Sequence, residues 1–87
     1  MHDISAQVSL YPLRQPNLSP AIEKAIAVFE DHNLDVEAGR MSTLIHGDDK
    51  QVFAALHEAF MSVGSNRDLV MVATISNACP SETTDNA

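Results

Sequence analysis

The sequence predicts an α+β fold in which one antiparallel sheet carries two helices on a single face. Three observations carry this reading. The segment Ile4-Ser5-Ala6-Gln7-Val8-Ser9-Leu10-Tyr11 alternates apolar and hydrogen-bonding side chains, the period-two signature of a half-buried strand. Two later segments repeat their apolar residues at helical spacing. Short β-rich runs separate and follow them, so the order is strand, helix, strand, strand, helix, strand.

The first strand is the most informative. Ile4, Ala6, Val8 and Leu10 face a core, and Ser5, Gln7, Ser9 and Tyr11 form a row on the opposite face. That row has amide, hydroxyl and phenol groups but no charge, whereas a solvated strand usually carries Lys or Glu. It suits either a small neutral heterocycle or a wet contact with another subunit. Pro12, Pro16 and Pro20 then punctuate a polar connection, and Ser19-Pro20 reads as an N-cap followed by proline at the first helical position. Ile22, Ala25, Ile26, Val28 and Phe29 make the apolar stripe of the first helix, and Asn33 is its stop, since asparagine tolerates the left-handed conformation.

Gly39-Arg40 is the turn between Asp35-Val36-Glu37-Ala38 and Met41-Ser42-Thr43-Leu44-Ile45-His46, which together form a hairpin ended by Gly47-Asp48. Asp48 with Gln51 resembles a capping box, and Val52, Leu56, Phe60 and Val63 continue a second helix to Gly64. Leu69-Val70-Met71-Val72-Ala73-Thr74-Ile75 is β-rich and too apolar for a solvated strand, which places it inside a sheet. This order is the ferredoxin-like βαββαβ sandwich, a four-stranded antiparallel sheet with two helices on one face. Residues 1–78 are expected to form that domain and 79–87, small, polar and acidic, a disordered tail. Nothing in so short a chain covers the other sheet face, where Val72, Thr74 and Ser76 join the polar row, so a homodimer or homotetramer through the sheet is expected.

Composition removes several function classes. Five Lys and Arg against twelve Asp and Glu give a net charge of -7 without a basic cluster, which excludes a nucleic-acid partner. The single cysteine, Cys79, cannot form an intrachain disulfide and suits a reducing cytoplasm. No run approaches the roughly 20 apolar residues that span a bilayer, and Met1-His2-Asp3 does not resemble a signal peptide. The three glycines lie in separate turns, so no phosphate-cradling loop exists. His46, Asp48 and His57 do not make a convincing metal set, because Asp48 already serves as a cap, and no cofactor is implied. Cys79 has no neighbouring base that would make it a nucleophile.

The runs Ile4 to Leu13, Met41-Ser42-Thr43-Leu44-Ile45-His46-Gly47-Asp48 and Val72-Ala73-Thr74-Ile75 resemble, in their order and spacing, the small YkoF-like thiamine-binding proteins over residues 4 to 77. The resemblance implies a ferredoxin-like fold, subunits assembled through their sheets, and binding of thiamine or its hydroxymethylpyrimidine part without chemistry. Three positions depart from the family pattern. Ser42 stands where glycine is frequent and either narrows a site or adds a hydrogen bond, His46 stands in place of a glutamate, and Ser76 in place of a lysine.

An aminopyrimidine presents an amine donor beside ring-nitrogen acceptors, and its flat face wants apolar or aromatic contact. Gln7 supplies donor and acceptor from one amide, Ser9 and Thr43 adapt either way, and Tyr11 offers a ring and a hydroxyl. With Ser42 and Thr74 these are the expected ligand contacts, and no residue is expected to be catalytic. Thr43 depends on the hairpin register, since a slip of one residue sends it to the helix side. Two other classes stay open. A small cofactor-free enzyme of the dimeric ferredoxin-like type would need His46 or His57 as its acid or base. A structural assembly domain would need neither ligand nor base.

Overall fold

The structure is a computed structural model that describes residues 3–40 and 42–78. Six elements follow in chain order: β1 (Asp3–Pro12), α1 (Ser19–Asp31), β2 (Asp35–Ala38), β3 (Thr43–Asp48), α2 (Asp49–Val63) and β4 (Leu69–Ser76). The strands form one antiparallel sheet in the order β2-β3-β1-β4, with α1 and α2 packed side by side on one face. This is the expected ferredoxin-like sandwich. Met41, Cys79 and the tail expected after it lie outside the described residues.

β1 alternates as its sequence demands. Ile4, Ala6 and Val8 are buried beneath the helices, together with Ile45 of β3. Register joins these positions into one core face: Ala6 stands opposite Ile45 on one side and Ile75 on the other. The helices add Ala21, Ala25, Val28 and Phe29 from α1 and Val52, Ala55, Leu56, Ala59 and Val63 from α2. The alanines let the two helices approach closely, and Phe60, expected in the buried stripe of α2, remains 41 % exposed at its edge.

Two expectations need correction. β4 lies at the sheet edge, as the βαββαβ order requires, but it is not buried as its apolar sequence suggested: Val70, Val72 and Ile75 are exposed. Val70 and Val72 stand opposite Tyr11 and Ser9 on the face that carries no helix, and Ile75, on the helix face, lies where the helices make their fewest contacts with the sheet. Ser19 does not cap α1 either. The N-cap is Leu18, without a side-chain cap, and Asn17 Oδ1 instead accepts the Ser19 N–H at 3.1 Å. The helix therefore begins one residue earlier than expected, with Pro20 in its first turn, where a missing N–H is harmless.

The other caps follow the sequence. Asn33 has a φ of 61°, and its N–H and that of Leu34 donate to the carbonyls of Glu30 and Phe29, which is a Schellman closure. Leu34 and Phe29 both belong to the core, so the motif also anchors the chain entering β2. Asp48 caps α2 by accepting the Gln51 N–H at 3.3 Å. The Gln51 side chain does not return the bond. Its Oε1 lies 2.8 Å from His32 Nδ1, and Glu58 Oε1 lies 2.8 Å from His32 Nε2.

Two predictions follow from this packing. A Cβ on Gly47 would stand 2.7 Å from Leu34 Cδ2 in the core, so Gly47→Ala should lower stability by about 1–3 kcal/mol in chemical denaturation. An unchanged midpoint would show that Leu34 has room to move. The second concerns His32, whose two ring nitrogens lie within hydrogen-bond distance of side-chain oxygens of Gln51 and Glu58. Gln51 first and Glu58 second raise its pKa above the ordinary 6.5, against the opposing effect of burial. The folded chain holds this proton more tightly, so the contribution is full below about pH 6.5 and is lost as pH rises through the folded value. It is worth less than about 1 kcal/mol because solvent screens it. The difference in melting temperature between the natural chain and His32→Ala should accordingly be widest below neutrality and shrink in alkali. A gap independent of pH would contradict the assignment.

Candidate functional site

The site begins with a mismatch of strand lengths. β3 ends at Thr43, which pairs with Val8, whereas β1 continues to Pro12 with β4 as its only strand partner beyond that point. Among the described residues the β3 register does not extend along β1 beyond Val8. The hairpin turn is closed by a bond from the Gly39 N–H to the Ser42 carbonyl at 2.8 Å and stands across the gap. A cleft of about 140 Å³ opens there. Its walls are Val8 to Tyr11 of β1, Leu18, Ile22, Ala25 and Phe29 from α1 and its cap, and Gly39, Arg40, Ser42 and Thr43 from the hairpin.

Because the cleft interrupts the sheet, side chains reach it from both faces. Leu10 and Thr43 belong to the helix side, as their register with Met71 and Val8 dictates. Ser9, Tyr11 and Ser42 alternate to the other side. The result is an apolar slot edged with hydroxyl groups. A dry cavity of about 150 Å³ holds one benzene-sized ring, so this cleft accepts a single six-membered ring and little more.

Four of the six expected contacts, Ser9, Tyr11, Ser42 and Thr43, line this cleft. Gln7 lies just outside and donates from Nε2 to Ser42 Oγ at 3.3 Å. Thr74 is not gathered in. It stands opposite Gln7 on the β4 side of β1, away from the hairpin. Thr43 was expected on the polar wall beside Gln7, and its position is a correction: it is 8 % exposed on the helix side and contributes to the cleft from beneath. Sequence reasoning missed Arg40 and the wall made by Leu18, Ile22 and Phe29. The available signal was length, since a ten-residue β1 outruns a six-residue β3.

The opposite end of the open face holds a second polar group. His46 pairs with Ser5 across the strands, its Nδ1 2.9 Å from Ser5 Oγ and its Nε2 3.7 Å from Asp3 Oδ2. This serine, histidine and aspartate sequence has the composition of a nucleophilic triad. Its surroundings do not suit acyl transfer, because Ser5 has a strand on each side, and backbone N–H groups spent on ladders do not form an oxyanion hole. The group also lies roughly 13 Å along β1 from Ser9 at the usual rise per residue. Among the described residues no three His, Cys, Asp or Glu side chains gather as a metal site, and no helix is long and apolar enough to cross a membrane.

A ferredoxin-like domain with one bare sheet face and a ring-sized cleft at its hairpin is the class of protein that fold and geometry define. The chain belongs to the YKOF-related family, whose model matches residues 3–82. It is 35% identical over 72 residues to the UPF0045 protein MJ1052 of Methanocaldococcus jannaschii, a match spanning 82% of this chain and 72% of that protein. The crystal structure of MJ1052 superposes with a TM-score of 0.84 at 32% identity, covering 97% of this chain and 89% of that one. A candidate thiamine biosynthesis/salvage protein of Thermotoga maritima shares the fold, with a TM-score of 0.73 at 15% identity over 84% of this chain and 81% of its own.

Proposed function

We propose that this chain is a cytoplasmic carrier or sensor that binds thiamine or its hydroxymethylpyrimidine part in the cleft at the hairpin, without chemistry on it. The observation that carries the reading is the cleft itself, an apolar slot for one ring edged by the hydroxyls of Ser9, Tyr11, Ser42 and Thr43. A flat aminopyrimidine needs apolar faces and adaptable donors and acceptors at its edge, and hydroxyls serve in both roles. Gln7 acts through Ser42 by holding its oxygen. Membership of the YKOF-related family, and the fold shared with the Thermotoga maritima protein of candidate thiamine biosynthesis or salvage function, support the choice of ligand. The single cysteine in the chain suits a reducing compartment.

A cofactor-free catalyst is the second reading, favoured only by His46 standing beside Ser5 and Asp3 on the open face. Prolonged incubation with the pyrimidine, followed by NMR, separates the two, because any product would replace binding with catalysis.

Calorimetric titration with thiamine and with hydroxymethylpyrimidine should detect binding, and Thr43→Val should weaken it by about 1–2 kcal/mol, roughly five- to thirtyfold. Thr74→Val, outside the cleft, should leave affinity unchanged. Absence of heat and of thermal stabilisation with both compounds would end this reading. We also propose that a second copy covers the bare face, since Tyr11, Leu44, Val70 and Val72 are each 45 % exposed or more. Light scattering should give a dimer or tetramer, and a stable monomer at micromolar concentration would refute the assembly.

A further inference from the structure

We infer that the ligand of the cleft is a phosphate ester and that Arg40 reads its phosphate. The inference rests on the reading of the cleft as a pyrimidine site and narrows the chemical class of what enters it. The chain carries a net charge of -7, with twelve acids and five Lys and Arg. Yet Arg40 is the one charged side chain among those lining the cleft. Of three other depressions, one is edged by Asp3 and Asp49 and another by Asp35 and Glu37, while the third carries Arg14 and Arg67 beside Asp68, which already pairs with Arg14.

Arg40 is exposed and makes no ion pair with another described residue, unlike Arg14, which is held by Asp68. A guanidinium on the wall of a slot, paired with no acid among the described residues, presents a planar fork of donors matched to phosphate oxygens. Ser42 adds a second donor beside it. Its oxygen accepts from Gln7 Nε2, which leaves the hydroxyl proton for a ligand oxygen. Size sets the arrangement. The cleft takes one ring, so a phosphate on that ring extends beyond the apolar slot, and Arg40, exposed on the cleft wall, is the cation that can meet it.

Affinities of the full chain for hydroxymethylpyrimidine, its phosphate, thiamine and thiamine monophosphate decide the matter. The phosphorylated member of at least one pair should bind roughly five- to twentyfold tighter at low salt, and the pair that shows the preference identifies which ester fits. Arg40→Ala should abolish the preference, read as the ratio of the two affinities within the pair. Arg40→Lys should restore part of it. About 1 M salt, where the screening length is about 3 Å, should also reduce it. Equal affinities within both pairs, or a preference that survives Arg40→Ala, would overturn the inference and leave the pyrimidine site standing. Binding of the free rings with rejection of both esters would overturn it in the same way. Failure of all four compounds to bind would remove the pyrimidine reading and this inference together.

Discussion

Everything in this molecule is referred to β1. With β3 it is one of the two strands that have a partner on each side, and its alternation decides which surface is core. Burying Ile4, Ala6 and Val8 fixes the orientation of every neighbouring side chain, because antiparallel pairing transmits the same parity to β3 and β4 and through β3 to β2. A slip of one residue would turn that whole set toward water and bring Ser5, Gln7 and Ser9 under the helices, where their polar groups would lack solvent. The apolar face therefore specifies the polar one.

The cleft is a consequence of the same strand. β1 extends past the end of β3, and the helix layer begins opposite that overhang, with Leu18 and Ile22 facing Leu10. Here the hairpin turn and α1 crowd the position, so what remains is a slot for a ring. Its chemistry follows from the two parities that meet in it: apolar groups from the core side, hydroxyls from the open side.

β4 shows what the fold leaves unfinished. Val70 and Val72 lie on the face that carries no helix and Ile75 on the helix face where α1 and α2 reach least, so all three stay in contact with water. Apolar exposure of this extent on an edge strand is a liability in a monomer. The contrast with the far end of the helix layer is physical. There His32 is satisfied on both ring nitrogens by Gln51 and Glu58, and α1 and α2 are tied without needing a partner.

By itself the sequence determined the local features. The period of β1, the stripes of the two helices, the left-handed Asn33 and the cap at Asp48 depend on residues within a turn or a few positions of one another, so composition and spacing are enough to read them. From those alone the element order and the fold class follow. The candidate site was only half legible: Ser9, Tyr11 and Ser42 were readable as polar positions, whereas the face of Thr43 was not. Tertiary structure decided that Thr43 meets Val8 from below, that Gln7 reaches Ser42 across 35 residues of sequence, that Val70 and Val72 stay exposed, and that Arg40 arrives on the wall of the cleft. Each of these depends on register between strands distant in sequence and on how far one strand outruns another. No local period carries that information, because register is set by the joint burial of the whole core.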